Sequence, residues 1–533
     1  MKKFILSLGC LCSFVFASAT LPTAETVVLP KPASITIQDG SFQIGNVLTT
    51  HLKKAKNVNA YLKQELKNNF GVELKSSSKN PGLLIDVNPK ADISPEGYSL
   101  NITKDGIQIL ASTEAGAFYG VQSLLQLMKA GKNGNTFQLA CQQVQDAPRF
   151  SWRSFMLDEA RYFHGEDEVY KLLDVMAELK MNVFHWHLTD DAGWRIEIKK
   201  YPLLTEVGGK RRDTQIGGWN SEETMGKAHE GFYTQAQVKK ILAYAKERHI
   251  KVVPEIEMPG HASAAIAAYP WLGTKNEQIE VPVKFGKHYH TFNVIDPKVK
   301  GFLKDVVAEV IDLFDTDVIH IGGDEVRFTH WEEDMAMNTY KNEKGFNSFM
   351  DIQIEFTNEM SRFIEKKGCS MMGWNEILGK NLHASDNISF AETSTSVAPN
   401  VVVQYWSGDI KDLAKAAEKG YKLVNSHTSA TYLDYGHNQI TLKSAYSFNP
   451  IPKGMPKEAE KNIVGLGCQM WGEWTPTIQR VHEQTFPRIA ALAEVGWTDL
   501  DNKNYDCFVK RLKPLTEEWK ERGITVYPYA ELD

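Results

Sequence analysis

Asp324 and Glu325 stand side by side in "DVIHIGGDEV", where an apolar run (Val318, Ile319, Ile321) meets two glycines and then two carboxylates. Carboxyl groups act as proton donors, as bases and as stabilisers of positive charge. They recur along the chain together with histidines and aromatics: Asp158 and Arg161, then His185, His187, Asp190 and Asp191, then Glu255, Glu257 and His261. Trp374 and Glu376, Trp406, Tyr432 and Asp434, and finally Trp471 and Glu473 continue the series. Each group comes at the carboxyl end of a short apolar run. Charges scattered over a surface would not keep that register.

Three chemistries compete for such a set. His185 and His187 lie at i, i+2 and so on one strand face, as a metal centre would want them, but the later strand ends offer Trp374 and Trp406 in place of further ligands. The reading is therefore no metal, with both histidines hydrogen-bonded near the site. "GGDE" is also the hallmark of diguanylate cyclases, which need basic phosphate contacts. A net charge of -6 and a pI near 6.2 supply no basic field, which argues against nucleic-acid and anionic-membrane partners as well. A glycosidase uses what is present: a proton donor, a charge stabiliser, and aromatic walls with polar corners. The aromatic content is 11%, with 12 Trp, which suits sugar faces. Neighbours on a strand point to opposite faces, so Asp324 and Glu325 are not expected to flank one anomeric carbon as acid and direct nucleophile.

The elements that carry these residues alternate strictly from Ser154 onward. Eight strand candidates, "SFMLDEA", "NVFHWHL", "KVVPEIE", "DVIHIGG", "CSMMGWN", "VVVQYWS", "YKLVNSH" and "IVGLGCQMWGE", are each followed by helix-period segments. That is the count of an α/β fold of the (β/α)₈ barrel type, spanning 148–533, with a doubly wound sheet as the alternative. In both folds ligands bind at the carboxyl ends of the strands. Long loops at 207–233 and 272–292 are expected to shape access. Residues 26–147 mix strand-like runs ("SFQIGNVLTT", "GLLIDVN", "GYSLNIT", "GIQILAS") with helical ones (58–70, 114–129) and read as a small α+β domain. The 533 residues exceed what one core sustains.

At the start, Lys2 and Lys3, an apolar stretch from Phe4 to Phe16, and Ala17-Ser18-Ala19 predict a signal peptide over 1–19 and an exported protein, periplasmic or extracellular. Lipid anchoring through Cys10 is the alternative. The apolar run falls short of a bilayer span, so no integral membrane segment is expected. Cys141, Cys369, Cys468 and Cys507 show neither a disulfide nor a zinc pattern.

The ordered motifs "LDEARYF", "FHWHLTDDAGWRIEI", "PEIEMPGHA", "HIGGDE" and "QMWGEW" resemble those of the β-N-acetylhexosaminidases of glycoside hydrolase family twenty, and "LPKPASI" and "AGAFYGVQSLLQLM" are similar to that family's N-terminal domain. The resemblance implies removal of terminal N-acetylglucosamine or N-acetylgalactosamine with retention, the substrate's 2-acetamido oxygen serving as nucleophile, and no cofactor. It implies that Glu325 is the general acid and then base, and that Asp324 orients the acetamido group and stabilises an oxazolinium ion. By the same resemblance Arg161 grips the 3- and 4-hydroxyls, Asp190 and His261 form a pair close to the acid, and Trp374, Trp406 and Trp471 box the sugar. Tyr432 would bond the acetamido oxygen, and Asp434 and Glu473 would accept from the 4- and 6-hydroxyls. A non-catalytic sugar-binding protein on the same fold is the alternative from another class. It would have no need of a proton donor.

Overall fold

The computed structural model describes residues 21–286, 288–379 and 393–532. The expected signal segment, with Cys10 and Cys12, lies outside them. Among the described residues no helix is long and apolar enough to cross a membrane. Eight strands close into a parallel barrel: β1 (Trp152–Asp158), β2 (Val183–His187), β3 (Lys251–Glu255), β4 (Val318–His320), β5 (Ser370–Trp374), β6 (Val402–Tyr405), β7 (Lys422–Asn425) and β8 (Ile463–Met470), with β8 pairing back onto β1. Each falls in one of the eight apolar runs, and the sheet is closed rather than doubly wound.

The runs are nearly continuous in apolar residues because helices cover the outside of the barrel and side chains fill the inside. Strand alternation then sorts the interior by height. Val183, Val253, Val318, Met372 and Val424 pack together in an apolar layer toward the amino ends. Two residues further along the same strands stand His185, Glu255, His320 and Trp374, all buried. The barrel therefore passes from a dry floor to a layer of titratable groups on the way to the rim. Outside it, the helices are started by local chemistry. Asp296 accepts the Lys298 N–H at 2.7 Å ahead of Pro297–Phe314, and Ser348 and Asp351 form a reciprocal capping box on Phe349–Lys366.

Preceding the barrel is an eight-stranded mixed sheet. The helix Glu114–Ala130, buried over most of its length, lies between that sheet and the barrel. Its Phe118 ring sits 5.1 Å from His249, and Gln126 Nε2 donates to the Glu178 carbonyl at 3.1 Å. Charged groups complete the joint. Lys180 is fully buried, with Nζ 3.1 Å from Asp146 Oδ2 and 3.0 Å from Tyr98 OH. The Trp497 indole donates to the other Asp146 oxygen at 2.9 Å, and Arg153 Nη2 meets Glu96 Oε1 at 2.8 Å. Arg153 and Lys180 stand at or just before the amino ends of β1 and β2, so the joint is made on the side of the barrel opposite the rim.

Candidate active site

Strand β4 stops at His320, and the chain turns immediately. Gly322 and Gly323 adopt φ of +66° and +90°. A Cβ on Gly322 would fall 1.7 Å from Glu257 Oε2, and one on Gly323 2.5 Å from Ile377, so only glycine fits either place. The carboxylates that follow lie on this turn, not on the strand, and Glu325 itself is left-handed at φ +48°. Strand alternation therefore does not separate them, contrary to expectation. His261 Nε2 lies 3.9 Å from Asp324 Oδ2 and 3.6 Å from Glu325 Oε2. Asp324 is buried, while the Glu325 side chain keeps 29% of its surface open.

His261 is held from behind by two acids. Its Nδ1 lies 3.0 Å from Asp191 Oδ2 and 3.4 Å from Asp190 Oδ2. Burial alone would lower its pKa, but Asp190 and Asp191 raise it well above the ordinary imidazole range, so the ring is an imidazolium at neutral pH. Asp190, expected as its partner, is also 2.9 Å from Arg161 Nη2 and 3.3 Å from His187 Nε2. Against the upward push of burial, Arg161 and His261 keep Asp190 well below the usual carboxylate range. Asp191 makes the shorter contact to His261 and also accepts the Ser263 N–H at 3.0 Å. The consecutive aspartates divide the work. Arg161 is fixed further by Asp158 at 3.1 Å and lies over the Trp471 ring at 5.1 Å, with Glu473 3.8 Å away.

Below this level Glu255 is a hub. His187 Nδ1 bonds it, His185 and His320 nitrogens lie 3.0 and 2.9 Å from its oxygens, and the Trp374 indole donates to it at 2.7 Å. Although burial pushes it up, the three imidazoles hold Glu255 well below the ordinary range. The histidine pair that could have suggested a metal thus surrounds one carboxylate. Two further buried acids flank the turn at 322–325, and the sequence placed them at strand ends without giving them a role. Glu257, pressed against Gly322, has neither oxygen hydrogen-bonded within the protein. Glu376 accepts the Trp406 indole at 2.8 Å and the Glu325 N–H at 3.5 Å. Burial and the nearby Asp324 charge raise both well above the ordinary carboxylate range. Their signal was adjacency to Glu255 and Trp374, and burial is what gives it meaning.

The aromatic residues form a connected wall. Trp374 lies 5.7 Å from Trp471, Trp471 6.2 Å from Tyr432, and Tyr432 stacks at 6.0 Å and 20° on Trp406. Asp434 and Glu473 lie together at the edge of this wall, and burial followed by the Glu473 charge raises Asp434 well above the usual range. Among the buried polar atoms with no hydrogen-bond partner within the protein are Asp324 Oδ1, Asp434 Oδ1 and Trp471 Nε1. Buried polar groups are seldom left unpaired, and these three converge on one aromatic-walled pocket at the barrel rim. The pocket combines a half-open carboxyl group, a buried carboxylate beside it, an anchored guanidinium and an indole wall. That is equipment for holding a neutral polyhydroxyl ring and protonating an oxygen attached to it.

Comparison with known proteins agrees with this chemistry. The model of the glycosyl hydrolase family 20 catalytic domain matches residues 150–500, and that of the family's domain 2 matches residues 25–147. The chain belongs to glycosyl hydrolase family 20. It is 32% identical to a beta-hexosaminidase of Porphyromonas gingivalis over 97% of this chain and 68% of that protein. Among solved structures, it is similar to the family 20 exo β-N-acetylglucosaminidase of Vibrio harveyi in complex with N-acetylglucosamine. The TM-score there is 0.82 at 29% identity, covering 96% of this chain and 79% of the other. The N-acetyl-β-hexosaminidase of Streptomyces plicatus gives a TM-score of 0.81 at 28% identity, covering 96% and 98%. As a family 20 member the chain is a glycosidase, and its barrel preceded by an α+β domain is the architecture of these relatives.

Proposed function

We propose that this family 20 glycosidase removes single terminal β-linked N-acetylglucosamine or N-acetylgalactosamine residues, with retention, using the acetamido oxygen of the substrate as nucleophile. The observation that carries this reading is the catalytic turn. A conventional retaining enzyme sets its acid and nucleophile on opposite sides of the anomeric carbon, roughly 5–5.5 Å apart. Here the two carboxylates are consecutive residues converging on one imidazolium. The more open Glu325 suits proton delivery to the leaving oxygen. Asp324, with one oxygen unpaired, suits an N–H donor, which the acetamido group provides and which becomes more acidic as the oxazolinium ion forms. Tyr432 faces the same space and donates to the carbonyl oxygen, bringing it to near-attack geometry. The indoles of Trp374, Trp406 and Trp471 take the methyl group and the apolar sugar face, Arg161 takes the 3- and 4-hydroxyls, and Asp434 and Glu473 close the far end. Closure by Asp434 and Glu473 supports exo action on one terminal sugar.

The test removes the nucleophile from the substrate. N-acetyl-β-glucosaminide is expected to be turned over and the matching plain β-glucoside not, and an N-trifluoroacetyl analogue should show a steep fall in kcat, because fluorine weakens the carbonyl oxygen with little change of shape. Comparable kcat on the plain glucoside, or a covalent sugar adduct trapped on Asp324, would refute substrate assistance. The charged, apolar and small-residue succession at 2–19 supports export, and the N-terminal mass of the recovered protein checks it: a mass that includes residues 1–19 would refute removal of the segment.

A further inference from the structure

The long loops after β2 and β3 are stitched to each other. Gln215 N–H donates to the Val283 carbonyl at 2.9 Å, and the Gln215 side chain accepts the Phe285 N–H at 2.9 Å. Together with Trp474 they build an aromatic cluster separate from the indole wall of the pocket. Phe285 meets Trp474 edge-on at 5.6 Å and 88°, and Trp474 meets Trp219 edge-on at 5.2 Å and 89°. Behind them Tyr162 lies 6.0 Å from Phe285. Phe285 and Tyr162 are buried, whereas Trp219 is 56% exposed. The cluster adjoins the site twice along the chain and once in space. Trp474 follows Glu473 and Tyr162 follows Arg161 in the chain. The Trp219 ring packs on Gly286, at φ +105°, where a Cβ would lie 3.6 Å from the indole. Gly286 in turn lines a small cavity with His261, Thr291 and Glu325. Thr291 is 2% exposed and its hydroxyl oxygen has no partner within the protein.

We propose that Trp219, Trp474 and Phe285 form a shelf that binds the leaving-group sugar of an oligosaccharide substrate, the ring attached to the oxygen that Glu325 protonates. The inference rests on the function proposed above and adds what lies beyond the terminal sugar. Since Asp434 and Glu473 close the opposite end, a second sugar departs on the Glu325 side, past the cavity that Gly286 shares with that residue. There it meets an exposed indole held against the Trp474 ring and Gly286. A pyranose offers an apolar C–H face to such a ring. Because the indole is ordered before binding, little conformational freedom is lost when a sugar stacks on it. No charge is required of the ligand, in keeping with a neutral saccharide.

The experiment compares Trp219→Ala and Trp219→Phe with the unaltered enzyme on two substrates: chitotriose, whose leaving group is a disaccharide, and the β-fluoride of N-acetylglucosamine, whose leaving group is too small to reach the shelf. For Trp219→Ala, KM on chitotriose is expected to rise about tenfold, the effect of one lost aromatic contact, with KM and kcat on the fluoride unchanged and the melting temperature preserved. Trp219→Phe should recover part of the loss. An equal rise on both substrates would place Trp219 in binding of the terminal sugar and overturn the proposal, as would no change on either. Failure of the unaltered enzyme to cleave either substrate would instead sink the functional reading itself, and the subsite with it.

Discussion

Replacing Asp324 with asparagine sets stability and catalysis against each other in a way that depends on pH. Burial, with a further contribution from Glu325 and against the pull of His261, raises the Asp324 carboxyl from its ordinary 3.8 to about 6. A pKa raised in the folded state means that the fold holds the proton more tightly than the unfolded chain does. The ionised form is therefore a cost to folding that is complete above pH 6 and absent below the ordinary value of 3.8. The shift corresponds to ~3 kcal/mol. Asp324→Asn removes the charge and keeps the shape, so the variant should be more stable by up to that amount at pH 8 and of equal stability at pH 3.5. Urea melts at the two pH values would show it. The same substitution should lower kcat on an N-acetyl-β-glucosaminide by roughly 10²–10³, the loss expected when a group stabilising transition-state charge is removed. A variant no more stable than the parent at pH 8, or equally stabilised at both pH values, would refute the reasoning.

Glu325→Gln should retain substrate binding and lose most activity on sugar leaving groups, with a smaller loss on a good phenolic leaving group that needs no proton; equal losses on both would count against Glu325 as the acid. Lys180→Met, at the joint between the domains, leaves Asp146 buried without its cation and is expected to destabilise the protein by about 3–5 kcal/mol. KM of the remaining folded enzyme should be unaffected, and a changed KM would show that the joint communicates with the rim.

The barrel was legible because each of its strands is buried on both faces and so reads as an apolar run. The strand-end residues followed from that register. The turn after β4 was not, because Gly322 and Gly323 alter the direction of Asp324 and Glu325 through backbone angles that the flanking pattern does not reveal. Asp191, Glu257 and Glu376 stand in the strand-end series but were given no role, because their importance comes from burial and from which neighbour each one reaches. In the N-terminal domain "SFQIGNVLTT" reads as one run, yet the chain turns between the strands Ser34–Ile44 and Val47–Lys53. The 11-residue strand Thr136–Asp146 reads as the end of the domain and is an inner member of its sheet. Glutamines obscure its alternation. One of them, Gln142, is buried and accepts the Ala24 N–H at 2.8 Å, so it belongs to the core despite its polarity. Trp219 and Phe285 lie on loops, where no periodicity marks a residue for attention.

The joint formed by Lys180, Asp146, Arg153 and Glu96 has a bearing on how such an enzyme diversifies. It fastens the sheet to the foot of the barrel, a full strand length from the loops at the rim. Sequence drift in 207–233 or 272–292 therefore leaves the footing untouched, and new glycan preferences can be explored on a scaffold whose assembly is settled elsewhere. The N-terminal domain thus serves evolution as ballast, fastened away from the rim and allowing the rim to vary.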